Sequence, residues 1–320
     1  MSIPSVLETS VVGSGYMGGG IAQVFANAGH HVTLADVDAQ TAANARERLV
    51  DQAEVFEEQG LFTPGSRERI AQNLTAAESI EAAVANANYV TEAVPEVMDI
   101  KRETLQRISA AVPEDCVIGS NTSAIPIEQL SEVISQRERF LGVHWMNPAP
   151  FIPGVEIIAS TATDSSVVDY AEALIRSLGK ITARVADTPG FVANRLQFAL
   201  YKEAAKMVEE AVASPSEIDA VVSNTFGFRL ALFGPFAIGD MAGLDVYNSA
   251  YSTLEAAYGE RFAAPSALAD LVKVGNLGIK SGAGFLDIPE SDRGALLVYR
   301  DKSYALLSQL REHLGSAPGL

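Results

Sequence analysis

The sequence contains little cysteine, few basic side chains and no long apolar run. Cys116 is the only cysteine among the 320 residues, so the chain cannot form an internal disulfide bond. No segment reaches the roughly 18 consecutive apolar residues of a membrane-spanning helix. Residues 1–8 have neither the basic nor the apolar region of a secretory signal. We therefore expect a soluble cytoplasmic protein that does not contact membranes.

Positive charge is scarce as well. The chain has 23 Lys and Arg residues against 40 Asp and Glu residues, a net charge of −17, and residues 1–100 contain no lysine. A surface of this sign repels a phosphate backbone, so nucleic acid is not expected as a partner. The single cysteine and four scattered histidines lack the spacing of metal ligands, so no metal is expected either.

The order of apolar segments predicts two domains. Strands are predicted at 6–12, 31–35, 87–94, 116–119 and 140–144, with helices between them, among them 20–28 and 39–59. This alternation is typical of a Rossmann domain with a mainly parallel, doubly wound sheet, which we place at residues 1–186. Residues 187–320 are predicted to form an all-α domain, with helices at 191–213, 217–224, 235–257 and 301–313.

A glycine-rich loop follows the first predicted strand. Residues 13–18 fit G-x-G-x-x-G between a strand and a helix, which is the arrangement that binds the pyrophosphate of a dinucleotide. Its glycines permit a tight turn, close approach of the backbone and close helix packing. The residues of this loop expected to contact the cofactor are Gly13, Gly15, Tyr16, Met17 and Gly18.

An acidic residue ends the second predicted strand. Asp36 lies 18 residues after Gly18, where a carboxylate can accept hydrogen bonds from the adenosine ribose. Its charge, with that of Asp38, would repel the 2′-phosphate of NADP. The sequence therefore favours NAD as the cofactor.

Polar residues follow the other predicted strands. Because the carboxyl ends of parallel strands share one edge, Glu96, Ser120–Ser123 and His144 are expected to lie near the cofactor. A neutral imidazole can take the proton of an alcohol, so His144 is the candidate general base, although it could instead be a hydrogen-bonded structural histidine. His30 and His31 are expected on the surface.

Several segments together resemble the L-3-hydroxyacyl-CoA dehydrogenases and their relatives. Each match is weak alone, but together they occur in the family's order over nearly the whole chain. The matching segments are Gly13–Ala22, Glu92–Lys101, Ser120–Ser123, His144–Pro148, Asp187–Arg195, Gly234–Asp245 and Ile279–Phe285.

The resemblance implies an NAD-dependent oxidation of an L-3-hydroxyacyl-CoA-type secondary alcohol to the 3-keto product, as in fatty acid metabolism. It implies that His144 is the base and that Glu156 is its acidic partner. Glu156 is a single acid in an apolar strand, which by itself indicates a buried partner. The resemblance also implies a homodimer formed through the C-terminal domain.

The remaining site residues also rest on the resemblance. Ser123 and Asn194 are implied to bond the substrate oxygens, and Glu96 and Lys101 to lie beside the nicotinamide ribose. Lys101 could equally be a solvated cation on a helix. Ser123 and Asn147 are counted among the cofactor-binding positions, the latter without a specified contact.

Two features depart from the CoA-binding members. Those members are rich in lysine after the second strand, whereas this segment carries acids and has as its cations Arg46, Arg48, Arg67 and Arg69. The loop Phe151–Gly154 resembles branches that act on small hydroxy acids or alcohols related to carnitine, gulonate or pyridine. Such a substrate is the alternative to an acyl-CoA. A structural lens-type protein and a cofactor-binding sensor are more distant alternatives.

Overall fold

The structure is a computed structural model that describes residues 3–319. Positions 1 and 2, at the start of the first predicted domain, and position 320, at the end of the second, lie outside the described residues. The chain divides into two compact units, one ending at Leu200 and the other beginning at Tyr201. The first unit is an α/β domain and the second is helical, so the predicted fold class is confirmed.

One eight-stranded sheet forms the centre of the first unit. Its strands lie in the order β3-β2-β1-β4-β5-β6-β7-β8, and every neighbouring pair is parallel except β6 and β7. The strands are β1 Glu8–Val12, β2 His31–Ala35, β3 Leu74–Ala76, β4 Tyr89–Glu92, β5 Val117–Ser120, β6 Phe140–Trp145, β7 Gly154–Ala159 and β8 Ile181–Val185.

Seven helices and a 3-10 helix connect these strands. Two of them begin at residues that cap them, because the side chain of Asp38 accepts the amide of Thr41 and that of Ser79 accepts the amide of Ala82. The helices are α1 Tyr16–Asn27, α2 Ala39–Glu58, α3 Ser66–Asn73, α4 Ile80–Val84, α5 Met98–Ala111, α6 Ile127–Ser131 and α7 Ser165–Ser177, and the 3-10 helix is Arg137–Arg139.

The apolar runs of the strands explain why the sheet has two cores. Successive side chains of a strand point to opposite faces. Phe140 accordingly belongs to one buried cluster, with Val12 and Ile158, while Leu141 belongs to another, with Phe25. Helices thus cover both faces, and the edge formed by the carboxyl ends of the strands remains for polar loops.

The second unit consists of helices, and the division between the units falls within the first of them. Its helices are α8 Ala193–Glu209, α9 Pro215–Asn224, α10 Phe226–Leu230, α11 Pro235–Ala242, α12 Leu244–Tyr258, α13 Ser266–Lys273 and α14 Glu290–Leu314, with a 3-10 helix at Gly259–Phe262. No helix within residues 3–319 is both long and apolar enough to cross a membrane.

Three element boundaries differ from the sequence-based predictions. The first helix begins at Tyr16 rather than Gly20, because the helix accommodates three successive glycines where neighbouring segments pack closely on it. The predicted helix 235–257 is two helices, since Gly243 adopts φ +102° between them. The last helix begins at Glu290 rather than Asp301. Polar residues at its start obscured the helical pattern.

His30 was predicted on the surface, and this prediction is wrong. Its relative exposure is 7%, its ring packs 6.1 Å from that of Phe25, and its Nδ1 accepts the amide of Leu7. Burial, and then the charge of His31, lower the pKa of His30. His31 is exposed, as predicted. In the turn after α1, His30 is therefore buried and His31 is exposed.

A buried carboxylate joins two distant segments of the second unit. Asp240 on α11 is fully buried, and its two oxygens accept the amides of Phe285 and Leu286 at 3.2 and 2.7 Å. On α12, exposed Asp245 accepts two hydrogen bonds from Lys280. The two family-like segments of the C-terminal region thus bind each other through acids that differ greatly in burial.

We expect Asp240→Ala to destabilise the protein by roughly 2–4 kcal/mol, because it removes a buried acceptor and leaves two partly buried amides unpaired, at about 1–3 kcal/mol each. The matched control, Asp245→Ala, removes an exposed ion pair and should cost at most about 1 kcal/mol. Urea unfolding followed by circular dichroism measures both. Equal losses for the two variants would contradict the importance assigned to Asp240.

Candidate active site

The parallel strands bring the candidate residues to one edge of the sheet. β1, β4, β5 and β6 are consecutive neighbours, all parallel, so the loops that follow them emerge together. These loops contain Gly13–Gly18, Glu96, Ser123 and Asn147. His144 lies near the end of β6 itself.

Side chains at two positions of the glycine-rich loop would clash with neighbouring backbone atoms. Gly13 has φ +95°, and a Cβ atom there would lie 2.7 Å from the backbone of Ala93. A Cβ on Gly18 would lie 1.8 Å from the carbonyl oxygen of Gly13, whereas Gly15 faces open space. α1 begins directly after Gly15 without a side-chain cap, so its first amides are available to an anion. The loop therefore fits a dinucleotide pyrophosphate.

Asp36 closes this loop against the end of β2. Its Oδ2 accepts hydrogen bonds from the amide and the hydroxyl of Ser14 at 2.7 and 2.5 Å, and its Oδ1 accepts the amide of Val37. Asp38 caps α2 instead of facing the loop, and its pKa is lowered by the hydrogen bonds from Thr41. Asp36 is thus the carboxylate that borders the glycine loop.

The two middle residues of the loop differ in environment. Tyr16 is 64% exposed at the start of α1. Met17 is half-buried and packs against the core. Of these two predicted cofactor contacts, Tyr16 is the one whose side chain is accessible.

His144 and Glu156 form a buried pair across the antiparallel strands β6 and β7. They are directly opposite each other in the register, and Nδ1 of His144 lies 2.8 Å from Oε2 of Glu156. Both residues are largely buried, at 3% and 6% exposure. The antiparallel register of the two strands is what places an acid twelve residues later beside the histidine.

The second oxygen of Glu156 is also satisfied. Oε1 accepts the amides of Val192 and Ala193 at 3.0 and 2.9 Å. Burial opposes ionisation of Glu156, but the hydrogen bonds from His144, Ala193 and Val192 outweigh it and lower its pKa. An ionised carboxylate beside Nδ1 favours the tautomer with its proton on that nitrogen. Nε2 of His144 is then free to accept a proton.

Ser123 and Asn194 are brought together by the fold. The side-chain amide of Asn194 donates to the carbonyl oxygen of Ser123 at 3.0 Å, although the two residues are 71 positions apart. Both are half-buried, near the ends of β5 and at the start of α8. The Ser123 hydroxyl is therefore carried by a loop that Asn194 fixes.

Glu96 organises the same loop. Its Oε1 accepts the Thr122 hydroxyl at 2.6 Å and the amides of Ser123 and Ala124 at 2.9 Å. Burial opposes its ionisation, but these hydrogen bonds and the charge of Lys101 lower its pKa. Sequence reasoning placed Glu96 beside the cofactor, and it did not anticipate that the carboxylate shapes the serine loop.

Lys101 is not the solvated helix cation that was one of its two interpretations. It is 1% exposed, and its Nζ donates to Oε1 of Glu92 at 2.8 Å and to the carbonyl of Val94 at 3.1 Å. Oε2 of Glu96 lies 3.4 Å from the same nitrogen. Glu92, which sequence reasoning missed, is fully buried on β4 and also accepts the hydroxyl of Ser120. A single acid in an apolar strand was the available signal, as for Glu156.

The connection from β6 to β7 is fixed by a buried lysine. Asn147, a predicted cofactor contact, is exposed at the start of this connection. Lys180 is 8% exposed, and its Nζ donates to three main-chain carbonyls, those of Ala149, Pro150 and Ile152, at 2.6–3.1 Å. Burial lowers the pKa of this lysine. Nothing in the sequence pattern distinguished Lys180 from a surface residue.

Sequence reasoning expected Asn121 near the cofactor as part of Ser120–Ser123, but it did not anticipate its contact with β6, and it missed Phe191. Oδ1 of Asn121 accepts the amide of Trp145 and so fixes the end of β6 beside His144. The Phe191 ring packs 5.6 Å from the imidazole of His144. Both lie within segments of family resemblance, which was the only sequence signal for Phe191.

The four arginines that could meet a phosphate already have protein partners. Arg46 donates to the carbonyls of Leu74 and Ala71. Arg67 bonds Glu54, and Arg69 bonds four acceptors between Asn27 and Ser66. Arg48 makes one hydrogen bond, to the carbonyl of Ser14 in the glycine loop.

Comparison with known proteins agrees with this geometry. Residues 8–188 match the model of the 3-hydroxyacyl-CoA dehydrogenase NAD binding domain, and residues 190–288 match that of the C-terminal domain of the same family. The solved structure of a 3-hydroxyacyl-CoA dehydrogenase from Archaeoglobus fulgidus has a TM-score of 0.77 and 31% identity, covering 97% of this chain and 99% of that one.

Curated relatives include enzymes with and without CoA in their names. The chain is 34% identical to a 5-formyl-3-hydroxy-2-methylpyridine 4-carboxylate 5-dehydrogenase of Mesorhizobium japonicum, covering 96% of this chain and 99% of the relative. It is also 34% identical to a probable 3-hydroxybutyryl-CoA dehydrogenase of Bacillus subtilis, covering 89% and 98%. The resemblance inferred from the motifs is confirmed, and the chain belongs to the 3-hydroxyacyl-CoA dehydrogenase family of NAD-dependent oxidoreductases that act on CH–OH groups.

Proposed function

We propose that the protein oxidises the secondary alcohol of an L-3-hydroxyacyl unit to a ketone, with His144 as the general base and Glu156 as its partner. The observation that carries this proposal is the buried pair itself, in which Nδ1 of His144 lies 2.8 Å from the Glu156 carboxylate. Such a pair leaves Nε2 to accept the alcohol proton and stabilises the imidazolium that results.

Each residue of the site has a separate role in the proposed reaction. Bound NAD supplies the acceptor for the hydrogen that leaves carbon. The backbone of Gly13–Gly18 and the start of α1 would hold its pyrophosphate, and Asp36 its adenosine ribose. His144 takes the hydroxyl proton at Nε2, and Glu156 stays ionised because of its three hydrogen bonds. The product ketone is neutral, and the imidazolium carries the positive charge that the Glu156 carboxylate offsets.

Ser123 and Asn194 are proposed to bond the oxygens of the substrate. Glu96 and Asn194 fix this loop through the main-chain amide and carbonyl of Ser123, not through its hydroxyl. A loop held in this way presents the hydroxyl without first having to be ordered by substrate, which lowers the entropy cost of binding. Asn147 and Lys101 are proposed to border the nicotinamide half of the cofactor.

A small substrate without CoA is the second candidate. It is favoured by the arginines after β2, because Arg46, Arg67 and Arg69 bond protein acceptors and Arg48 donates to the carbonyl of Ser14. CoA brings a 3′-phosphate and a pyrophosphate, whose charges need cations. A substrate resembling that of the pyridine carboxylate relative needs one cation at most.

We further propose that the helical region after Ala186 mediates a homodimer. Its helices leave large apolar side chains exposed, including Phe198, Tyr201, Val298 and Leu314, at 62–71% of their reference area. Helices of a monomer usually bury such residues on one side. A second copy of the chain is the proposed cover.

We expect His144→Ala to lower kcat by about 10²–10⁴, the usual contribution of one general base, with little change in NADH affinity. Glu156→Gln should lower kcat too, because the imidazolium loses its charged partner. Since the two residues act as a unit, the double variant should be little worse than His144→Ala. Initial rates at the NADH absorbance and NADH titration measure these effects. Near wild-type turnover of His144→Ala would contradict the proposed base.

We expect NAD to be strongly preferred over NADP, because the carboxylate of Asp36 at the glycine loop repels a 2′-phosphate. Asp36→Ala should weaken NAD binding and narrow the preference, whereas the matched control Asp38→Asn, which retains a helix cap, should change it little. The measurement is kcat/KM for both cofactors in the three proteins. Equal values for NAD and NADP in the wild type would rule out this role of Asp36.

We expect CoA to contribute little to substrate recognition. The comparison is kcat/KM for L-3-hydroxybutyryl-CoA against the same acyl group on pantetheine, alongside L-carnitine and gulonate. An advantage of CoA below about tenfold, or ~1.4 kcal/mol, supports the small-substrate candidate. An advantage of about 1000-fold would instead identify an ordinary acyl-CoA dehydrogenase.

A further inference from the structure

The turn before α8 holds a bulky residue in an unfavourable backbone conformation. Phe191 has φ +49°, and Phe191 and Ala211 are the two non-glycine residues with positive φ within residues 3–319. Left-handed backbone is sterically unfavourable for a large side chain, so it persists only where other contacts compensate. The neighbours of Phe191 therefore reveal what this turn stabilises.

Those neighbours are the two members of the buried pair. The Phe191 ring lies 5.6 Å from the imidazole of His144, at an interplanar angle of 57°. The next two amides, those of Val192 and Ala193, donate to Oε1 of Glu156 at 3.0 and 2.9 Å. Phe191 thus packs on His144, and its backbone directs the two amides that bond the carboxylate of Glu156.

The ring also anchors the turn in the protein core. Phe191 is 1% exposed and belongs to the buried cluster that contains Val12, Phe140 and Ile158. Its amide donates to the carbonyl of Thr188 at 2.8 Å, which closes the turn. Burial of the ring offsets the unfavourable φ, so the core contact and the direction of the following amides are coupled.

We propose that Phe191 is a positioning residue for the His144–Glu156 pair, an inference that rests on the proposed function of that pair. The ring restricts rotation of the imidazole, whose Nδ1 is already held by Glu156. The left-handed backbone aims the amides of Val192 and Ala193 at the carboxylate. Both effects exist before any ligand binds, so they act on turnover and not on cofactor affinity.

Two substitutions separate this role from simple core filling. Phe191→Gly removes the most volume but adopts positive φ without strain, so the two amides can stay on Glu156. Phe191→Ala removes less volume, yet it keeps the strain and loses the ring burial that offset it. A core-filling residue predicts that glycine is the worse replacement, whereas a positioning residue predicts that alanine is worse for turnover.

We expect kcat to fall on the order of 100-fold in Phe191→Ala and about tenfold in Phe191→Gly, within the range that a general base contributes. KM for NAD should stay within about twofold. The probe is L-3-hydroxybutyryl-CoA, or L-carnitine if the substrate comparison favours it. A lower kcat for glycine than for alanine would overturn the inference.

A matched pair of milder variants controls for lost stability. Phe140 belongs to the same buried cluster and is also fully buried, four residues before His144. Phe140→Leu and Phe191→Leu should lower the unfolding midpoint similarly, as followed by the fluorescence of Trp145, the only tryptophan. Only Phe191→Leu should lower kcat by about tenfold or more. Equal kcat in the two variants would overturn the inference even if the smaller replacements do not fold.

A readout without substrate separates this inference from the proposed function. In ¹⁵N-histidine-labelled protein, the proton on Nδ1 of His144 should give a slowly exchanging signal, assigned by its loss in Glu156→Gln. We expect this signal to broaden or vanish in Phe191→Ala and to persist in Phe140→Leu. Its persistence in Phe191→Ala would overturn the positioning role. Unchanged turnover of His144→Ala would overturn the proposed function alone, since the signal still reports how the pair is held.

Discussion

Burying the ionised carboxylate of Glu156 is the constraint on which the site depends. A carboxylate in an apolar strand is costly unless every lone pair finds a donor, and breaking such an arrangement leaves a buried charge uncompensated. Three donors come from two places in the chain: His144 on the neighbouring strand, and the adjacent amides of Val192 and Ala193 where α8 begins. The antiparallel pairing of β6 and β7 and the turn before α8 both bring hydrogen-bond donors to the Glu156 carboxylate.

The same solution recurs at Glu92. This fully buried acid takes its donors from Lys101, Ser120 and the amide of Val94, and Lys101 in turn faces Glu96, which holds the serine loop. Two buried carboxylates thus organise opposite sides of the polar edge. The loops between these carboxylates do not need regular secondary structure to keep their conformation. Each loop is hydrogen-bonded to a charged group that the strands hold in place.

The general architecture could be predicted because it follows from local patterns. Apolar runs with glycine stops identified β2, β5 and β6 to within a residue or so, and the glycine loop with Asp36 indicated a dinucleotide. Edge strands were not predicted, because β3 has three residues and β8 is largely exposed, so neither carries an apolar run. Phe191, Lys180 and Glu92 matter through partners remote in sequence, which no pattern within one segment can reveal. His30 escaped prediction for the same reason, since its ring bonds the amide of Leu7, which is remote in sequence.

Lys180 has a consequence for how the specificity of this scaffold can change. It anchors the connection between β6 and β7 through the main-chain carbonyls of Ala149, Pro150 and Ile152, which are the same whatever side chains those positions carry. Mutations at Phe151 or Ile152 can therefore accumulate without loosening the strands that carry His144 and Glu156. An anchor that bonds only the main chain lets the loop sequence vary while the position of the His144–Glu156 pair stays fixed.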